Sequence, residues 1–413
     1  MERMAERPHW AERIRRERLA HGWSQPAAVA NLQAVYAREH GKEGGSSESL
    51  LRQWKAWEAG TNKPTFWAPH IARVFGTVAA EMFPPDRAVD ALLISEAGMD
   101  TAELIARLQR SSISDDTVYA VQVKVDQLCT AYRLTGPREL RAEGQAWLRR
   151  IDGMLHESVT FAQHRELLSL GGRLALLVGC VENDAGDQIA AETTRAYALR
   201  LGSDVDDRDV MGWTYEMTAW FALTSGDLHR AIAATRAGIQ VAGERGVSVQ
   251  LAAQAAKAWS RLGNRHEVEV ALERGRTVLD ALEPPVNPDN HFAIDPSKWV
   301  FYEMDAQRNV GNNDRARLYA EEVLRAGVSP TGEERSPMRN AEARLTLAVV
   351  VARDGAVDDA VELGAAALTG PRVSVPSLTM VGRELTRELT AVGLAEDPRT
   401  REYDQTLTAL ATA

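Results

Sequence analysis

The chain has 413 residues, 45% of them hydrophobic and 26% charged, with a formal net charge of −10 at pH 7. That length exceeds one ordinary domain, and the composition excludes a disordered, low-complexity or disulfide-framed protein. A balance this acidic also argues against a chain that coats nucleic acid indiscriminately.

The charge is uneven. Residues 1–87 carry 13 Lys and Arg against 10 Asp and Glu, a net of +3, which leaves 35 basic and 48 acidic residues, a net of −13, for the rest. A mildly basic head on an acidic body is the pattern of a nucleic-acid-facing module joined to another. The two cysteines, Cys129 and Cys180, lie inside apolar helical patterns and read as buried free thiols suited to a reducing cytosol. The longest uncharged apolar run, 174–181, is far short of the roughly 20 residues that span a bilayer. The first residues lack the apolar stretch of a signal peptide, so a cytoplasmic protein with no membrane partner is expected.

Nearly all periodicity is helical, which predicts an all-α chain. The first helix covers 10–21 and ends at Gly22. Ser24 caps a second helix that runs to about His40. After a Gly- and Ser-rich loop, a third helix covers 48–59, with Leu50, Trp54 and Trp57 as its inward stripe and Gly60 as its stop. A fourth covers 65–75 and a short fifth 77–83. Pro84 and Pro85 then divide the chain, and 87–110 reads as a connecting helix. The expected domains are 1–83, a linker with its helix at 84–116, and a helical body at 117–413.

The body carries an internal repeat. Five turns hold Gly186, Gly226, Gly263, Gly311 and Gly355, spaced 40, 37, 48 and 44 residues apart. Seven residues before each glycine stand Gly179, Ala219, Ala256, Met304 and Ala348; five after it stand Ala191, Ala231, Val268, Ala316 and Ala360. Small side chains at those two places are what paired helices need where they cross. The array resembles tetratricopeptide repeats over roughly 160–370, with wider spacing than the usual ~34 residues. The proline-rich stretch 284–292 reads as a non-helical insertion. Helices at 117–156 and 377–393 cap the stack.

The head is specific in its motifs. Arg13-Ile14-Arg15, Gly22-Trp23-Ser24-Gln25, Trp57-Glu58-Ala59-Gly60, Pro64 and Val74-Phe75-Gly76 together resemble the Cro/lambda-repressor (XRE-type) helix-turn-helix. Ser49-Leu50-Leu51-Arg52-Gln53-Trp54, Phe75-Gly76-Thr77-Val78 and the alanine-rich body resemble actinobacterial regulators that join this head to tetratricopeptide-like repeats. Glu17 departs from the family, which has a buried leucine there, and the second helix with its loop is longer.

The resemblance implies a transcriptional regulator that binds a double-stranded DNA operator as a homodimer. It also implies an ion pair between Arg18 and Glu58. Arg52 and Gln53 face outward on the third helix and suit guanine and adenine edges, whereas Lys55 and Lys63 suit phosphates. Gln25, at a helix start, suits another phosphate. The body's groove would take a peptide, protein or small-molecule effector, as in peptide-sensing relatives. Candidate groove residues are Glu216, Trp220, Lys257, Asn309, Asn340 and Arg344. The competing reading is an interaction adaptor or antitoxin-like module with a vestigial head. No phosphate loop, His-Glu-x-x-His pair or Cys-x-x-Cys spacing occurs, so neither catalysis, a metal nor a cofactor is expected.

Overall fold

The computed structural model describes residues 8–42, 44–77, 79–83, 111–370 and 372–412, without the side chains of 80 and 81. Every regular element among them is an α-helix, apart from one isolated bridge between Val328 and Glu334. The all-α class expected from the periodicity holds. No described helix is long and apolar enough to cross a membrane. The chain forms two compact units, 1–105 and 106–413; the expected connecting helix over 87–110 lies outside the described residues.

The first unit contains α1 (His9–Ala20), α2 (Gln25–His40), α3 (Ser47–Ala59), α4 (Ala68–Val74) and α5 (Ala79–Met82). Ser24 Oγ accepts from Ala27 N–H and Ser46 Oγ from Ser49 N–H, both at 3.3 Å, which satisfies one orphan donor at each helix start. Gly60 closes α3 at φ 78°, a conformation that favours glycine. α4 is shorter than expected from the sequence, because 65–67 form a turn and Pro69 sits in the first turn of the helix instead. Ile14, Leu32, Leu50, Trp54, Trp57 and Ile71 share one core. Each such side chain stabilises by about 1.5–3 kcal/mol relative to exposure.

The second unit opens with α6 (Asp115–Ala131) and α7 (Pro137–Leu155). Five helical hairpins follow. They are α8 (Phe161–Asp184) with α9 (Gln188–Asp204), and α10 (Arg208–Thr224) with α11 (Leu228–Ala242). Next come α12 (Val247–Arg261) with α13 (Arg265–Ala281), α14 (Pro296–Asn309) with α15 (Asn313–Ala326), and α16 (Pro337–Arg353) with α17 (Val357–Leu368). Each turn glycine has a φ between 73° and 87°. All ten in-phase positions flanking the turns are buried. At the first crossing a Cβ on Gly179 would stand 2.7 Å from Met217 Cε and 3.5 Å from the Ala191 carbonyl, so the helices touch almost backbone to backbone. The first helix of each hairpin also packs on the first helix of the next. The expected non-helical insertion falls between α13 and α14.

Two segments then cover the face built by those first helices. The insertion returns to the start of the unit: the His291 N–H donates to the Cys129 carbonyl at 3.1 Å, and Arg133 pairs with Asp289 at 2.7 Å. From the far end, Arg372 pairs with Asp184 at 2.6 Å and donates to the Tyr132 carbonyl at 3.4 Å. α18 (Val375–Ala391) packs on α16 and reaches α8 and α10 as well. Trp220 Nε1 donates to Ser377 Oγ at 3.1 Å. α19 (Pro398–Thr412) closes the unit against α17 and α18.

α18 is fixed by a buried four-charge network. Glu384 accepts from Arg261 at 2.9 Å and from Arg308 at 2.8 Å, while Asp305 accepts from Arg261 at 2.7 Å and from Arg308 at 2.5 Å. Arg308 and Asp305 are each 0% exposed. Burial alone would raise the Asp305 carboxyl, but the two guanidiniums outweigh it and hold the group well below the usual range. Removing one member of such a set strands the others, at about 3–5 kcal/mol, whereas replacing all of them by apolar groups of similar volume is often neutral. Arg308→Met should therefore lower the Tm by on the order of 10 °C in circular dichroism. The quadruple apolar replacement should recover most of that loss. A drop under about 2 °C for the single variant would mean that the network does not hold α18.

Candidate ligand cavity and the outward face of α3

In the first unit one carboxylate organises three helices. Glu58 accepts from Arg18 Nε at 2.5 Å and Nη2 at 3.0 Å, from Gln25 Nε2 at 2.8 Å and from Trp54 Nε1 at 2.7 Å. Burial pushes the Glu58 carboxyl up, but these donors together bring it below its ordinary value. The expected Arg18–Glu58 pair is thus present and buried. Gln25, expected from the sequence to hold a phosphate, is half-buried and donates one amide N–H to Glu58, where the α2 start packs against the end of α3. With Leu50, Trp54 and Trp57 at 2% exposure or less, α3 turns Arg52, Gln53 and Lys55 to solvent. Lys63, in the following loop, is exposed too.

Elsewhere in the first unit, Glu39, His40 and His70 bring their potential ligand atoms within 4.8 Å of one another. The two Nε2 atoms lie 3.1 Å apart as a hydrogen bond, one ring donating and the other accepting. Glu39 is already neutralised by Arg73 at 2.5 Å. Ordinary polar pairing accounts for the cluster.

The second unit has a half-open cavity of about 140 Å³ between the row of first helices, the insertion and the start of α18. Of the six groove residues expected from the sequence, Glu216, Trp220 and Lys257 line it. The other three do not, each for a local reason. Asn340 is fully buried and donates to the Gly327 carbonyl at 3.1 Å. Asn309 turns back on its own helix to donate to the Asp305 carbonyl at 2.9 Å. Arg344 pairs with Glu334 at 2.5 Å.

The residues missed at sequence level include Asp184, Lys298, Arg339 and Glu342. A signal for several of them was present. Gln250, Gln254 and Lys257 stand 13, 9 and 6 residues before Gly263. Lys298, Phe301 and Tyr302 stand 13, 10 and 9 before Gly311, and Glu342 stands 13 before Gly355. Those offsets trace one helical face, so the turn glycine that locates the crossings also locates the cavity wall.

The wall is electrostatically unusual. Asp184 is matched by Arg372, whose Nη2 donates to it at 2.6 Å, and by the Tyr132 hydroxyl, which donates to the same oxygen at 2.6 Å. Glu216 accepts from Gln254 at 2.7 Å and Gln250 at 3.2 Å, yet burial still leaves its carboxyl raised. Glu342 is also raised by burial, with Lys257 only partly opposing it, and its Oε2 has no hydrogen-bond partner. Lys298 donates to the carbonyls of Asn290, His291 and Ala293, and burial lowers its ammonium to about 8. Burial first, and then Lys298, Arg372 and Arg339, hold the His291 imidazole well below its normal range, so it is neutral at pH 7.

No protein-family model matches the chain, and no curated protein matches it. Function therefore rests on the chemistry of these two regions alone.

Glu342 gives a direct test of the wall. A carboxyl raised in the folded state contributes stability below its unfolded value, 4.5, and loses that contribution as pH rises through the folded value. At pH 8 the buried, unmatched group should therefore destabilise the protein. Glu342→Gln should stabilise it by about 1–3 kcal/mol at pH 8, and the gain should shrink as pH falls toward 5. Urea titrations at the two pH values read this. An equal or larger gain at pH 5 would contradict the burial argument.

Proposed function

We propose that the protein is a cytoplasmic, sequence-specific DNA-binding transcriptional regulator of the Cro/lambda-repressor type. In this reading its tetratricopeptide-like helical body forms a homodimer and binds an effector. The observation that carries the proposal is α3, whose buried Leu50, Trp54 and Trp57 leave Arg52, Gln53 and Lys55 free on the opposite face. A helix fits the major groove, and Arg and Gln side chains match guanine and adenine edges there. Lys55 and Lys63 then meet phosphates, which position the head without reading sequence. Two heads on half-sites one helical turn apart supply the affinity that one head lacks.

The cavity supports a small molecule as the effector. α18 and the insertion occupy the face where an extended peptide would lie, and what remains is about 140 Å³. The effector would act by favouring one placement of the two heads over another. One observation favours the adaptor reading instead: Gln25 already donates to Glu58, which leaves it less free to meet a phosphate.

Capture of genomic DNA fragments by the purified chain, as a function of salt, separates the readings. A regulator enriches particular fragments at physiological salt; an adaptor enriches none. Arg52→Ala/Gln53→Ala should remove the enrichment, by about ten- to a hundredfold for each base edge no longer read, with circular dichroism unchanged. Enrichment that survives the double change would show that α3 does not read the bases.

A further inference from the structure

Four cationic side chains, Arg133, Lys257, Lys298 and Arg339, line the cavity with four carboxylates, Asp184, Glu216, Asp289 and Glu342. Arg372 is taken up by Asp184, and Arg133 by Asp289. Lys257, Lys298 and Arg339 remain, and none of them makes an ion pair among the described residues. Lys298 is occupied by three backbone carbonyls. Arg339 donates only to Ser336 Oγ, at 3.2 Å. Lys257 is 6% exposed, and its ammonium has no hydrogen-bond acceptor at all among the described residues. It lies 5.5 Å from the Phe301 ring centroid and 6.0 Å from that of Tyr302.

An ammonium that lines a cavity and has no hydrogen-bond partner is available to an arriving anion. Glu216, Glu342 and Asp305 feel its charge but make no hydrogen bond or ion pair with it. Glu216 is held by two amides, and Glu342 has no ion-pair partner. Burial raises both carboxyls. The aromatic faces of Trp220, Phe301 and Tyr302 line the same space. A cationic ligand seated on Glu342 would have Lys257 and Arg339 in the same wall, like charges that disfavour it.

We propose that the cavity binds a small organic carboxylate with an apolar body, its anionic group held by the ammonium of Lys257, with the Arg339 guanidinium in the same wall, and its body against Trp220, Phe301 and Tyr302. This rests on reading the second unit as the effector-binding part.

The test is thermal unfolding of the full chain with three matched series at millimolar concentration. The probes are indole-3-acetate, 3-phenylpropionate and octanoate, their primary amides, and the amines tryptamine, 3-phenylpropylamine and octylamine. At least one carboxylate should raise the Tm by about 4 °C or more, as a ligand well above its Kd does, with its amide and amine inert. Lys257→Met should weaken that carboxylate about tenfold or more, and Arg339→Gln, a substitution at a half-exposed site, should weaken it in the same direction. Stabilisation by the amines alone, a carboxylate effect unchanged in both variants, or no shift from any series would each overturn the proposal. None of those outcomes bears on capture of DNA by α3, so the regulator reading stands or falls separately.

Discussion

The second unit depends on charge pairs that form only between residues far apart in the chain. Arg372 reaches Asp184, and Glu384 sits between Arg261 and Arg308. Local hairpins alone would leave the face of α8, α10, α12, α14 and α16 open to water. These pairs carry α18 across that face and decide how much of it stays empty. Buried ion pairs contribute little net stability against an apolar alternative. What they confer here is position: guanidinium forks accept carboxylates in few geometries, so the α18 register is fixed along its length.

Glu58 does the equivalent work in the first unit. Four donors from α1, α2 and α3 converge on its carboxylate, which sets the angle at which α3 presents Arg52 and Gln53. The same convergence engages one amide N–H of Gln25.

Much of this was legible from residue order, because much of it is local. The turn glycines, the small residues flanking them and the Trp54–Trp57 stripe each report on neighbours within a few turns of helix. Arg18 and Glu58 are 40 residues apart, yet the motif around them announces the pair. Periodicity shows that a face is buried but not what buries it. The first helices of the hairpins read as groove-lining, and nothing in their own sequence says that α18 and the 284–292 insertion would fill most of that groove. Asn340 shows the same limit in miniature. It reads as a groove residue, but the tight approach of Gly327 claims its amide. Choosing Asn340 and Arg344 selected the wrong strip of α16, whereas Glu342 lay on the strip that counting back from Gly355 would have found.

The distance in sequence between the partners also orders events during synthesis. The hairpins from α8 to α13 pair within a few tens of residues and can fold as the chain emerges. Tyr132 and Asp184 must wait for Arg372, which is 240 and 188 residues later. Until then the inner face, with its aromatics and half-satisfied acids, stands exposed on an otherwise folded nascent body. That interval is when a chaperone or a second nascent chain would meet it. It ends only when the ribosome has delivered the segment that lies across the face.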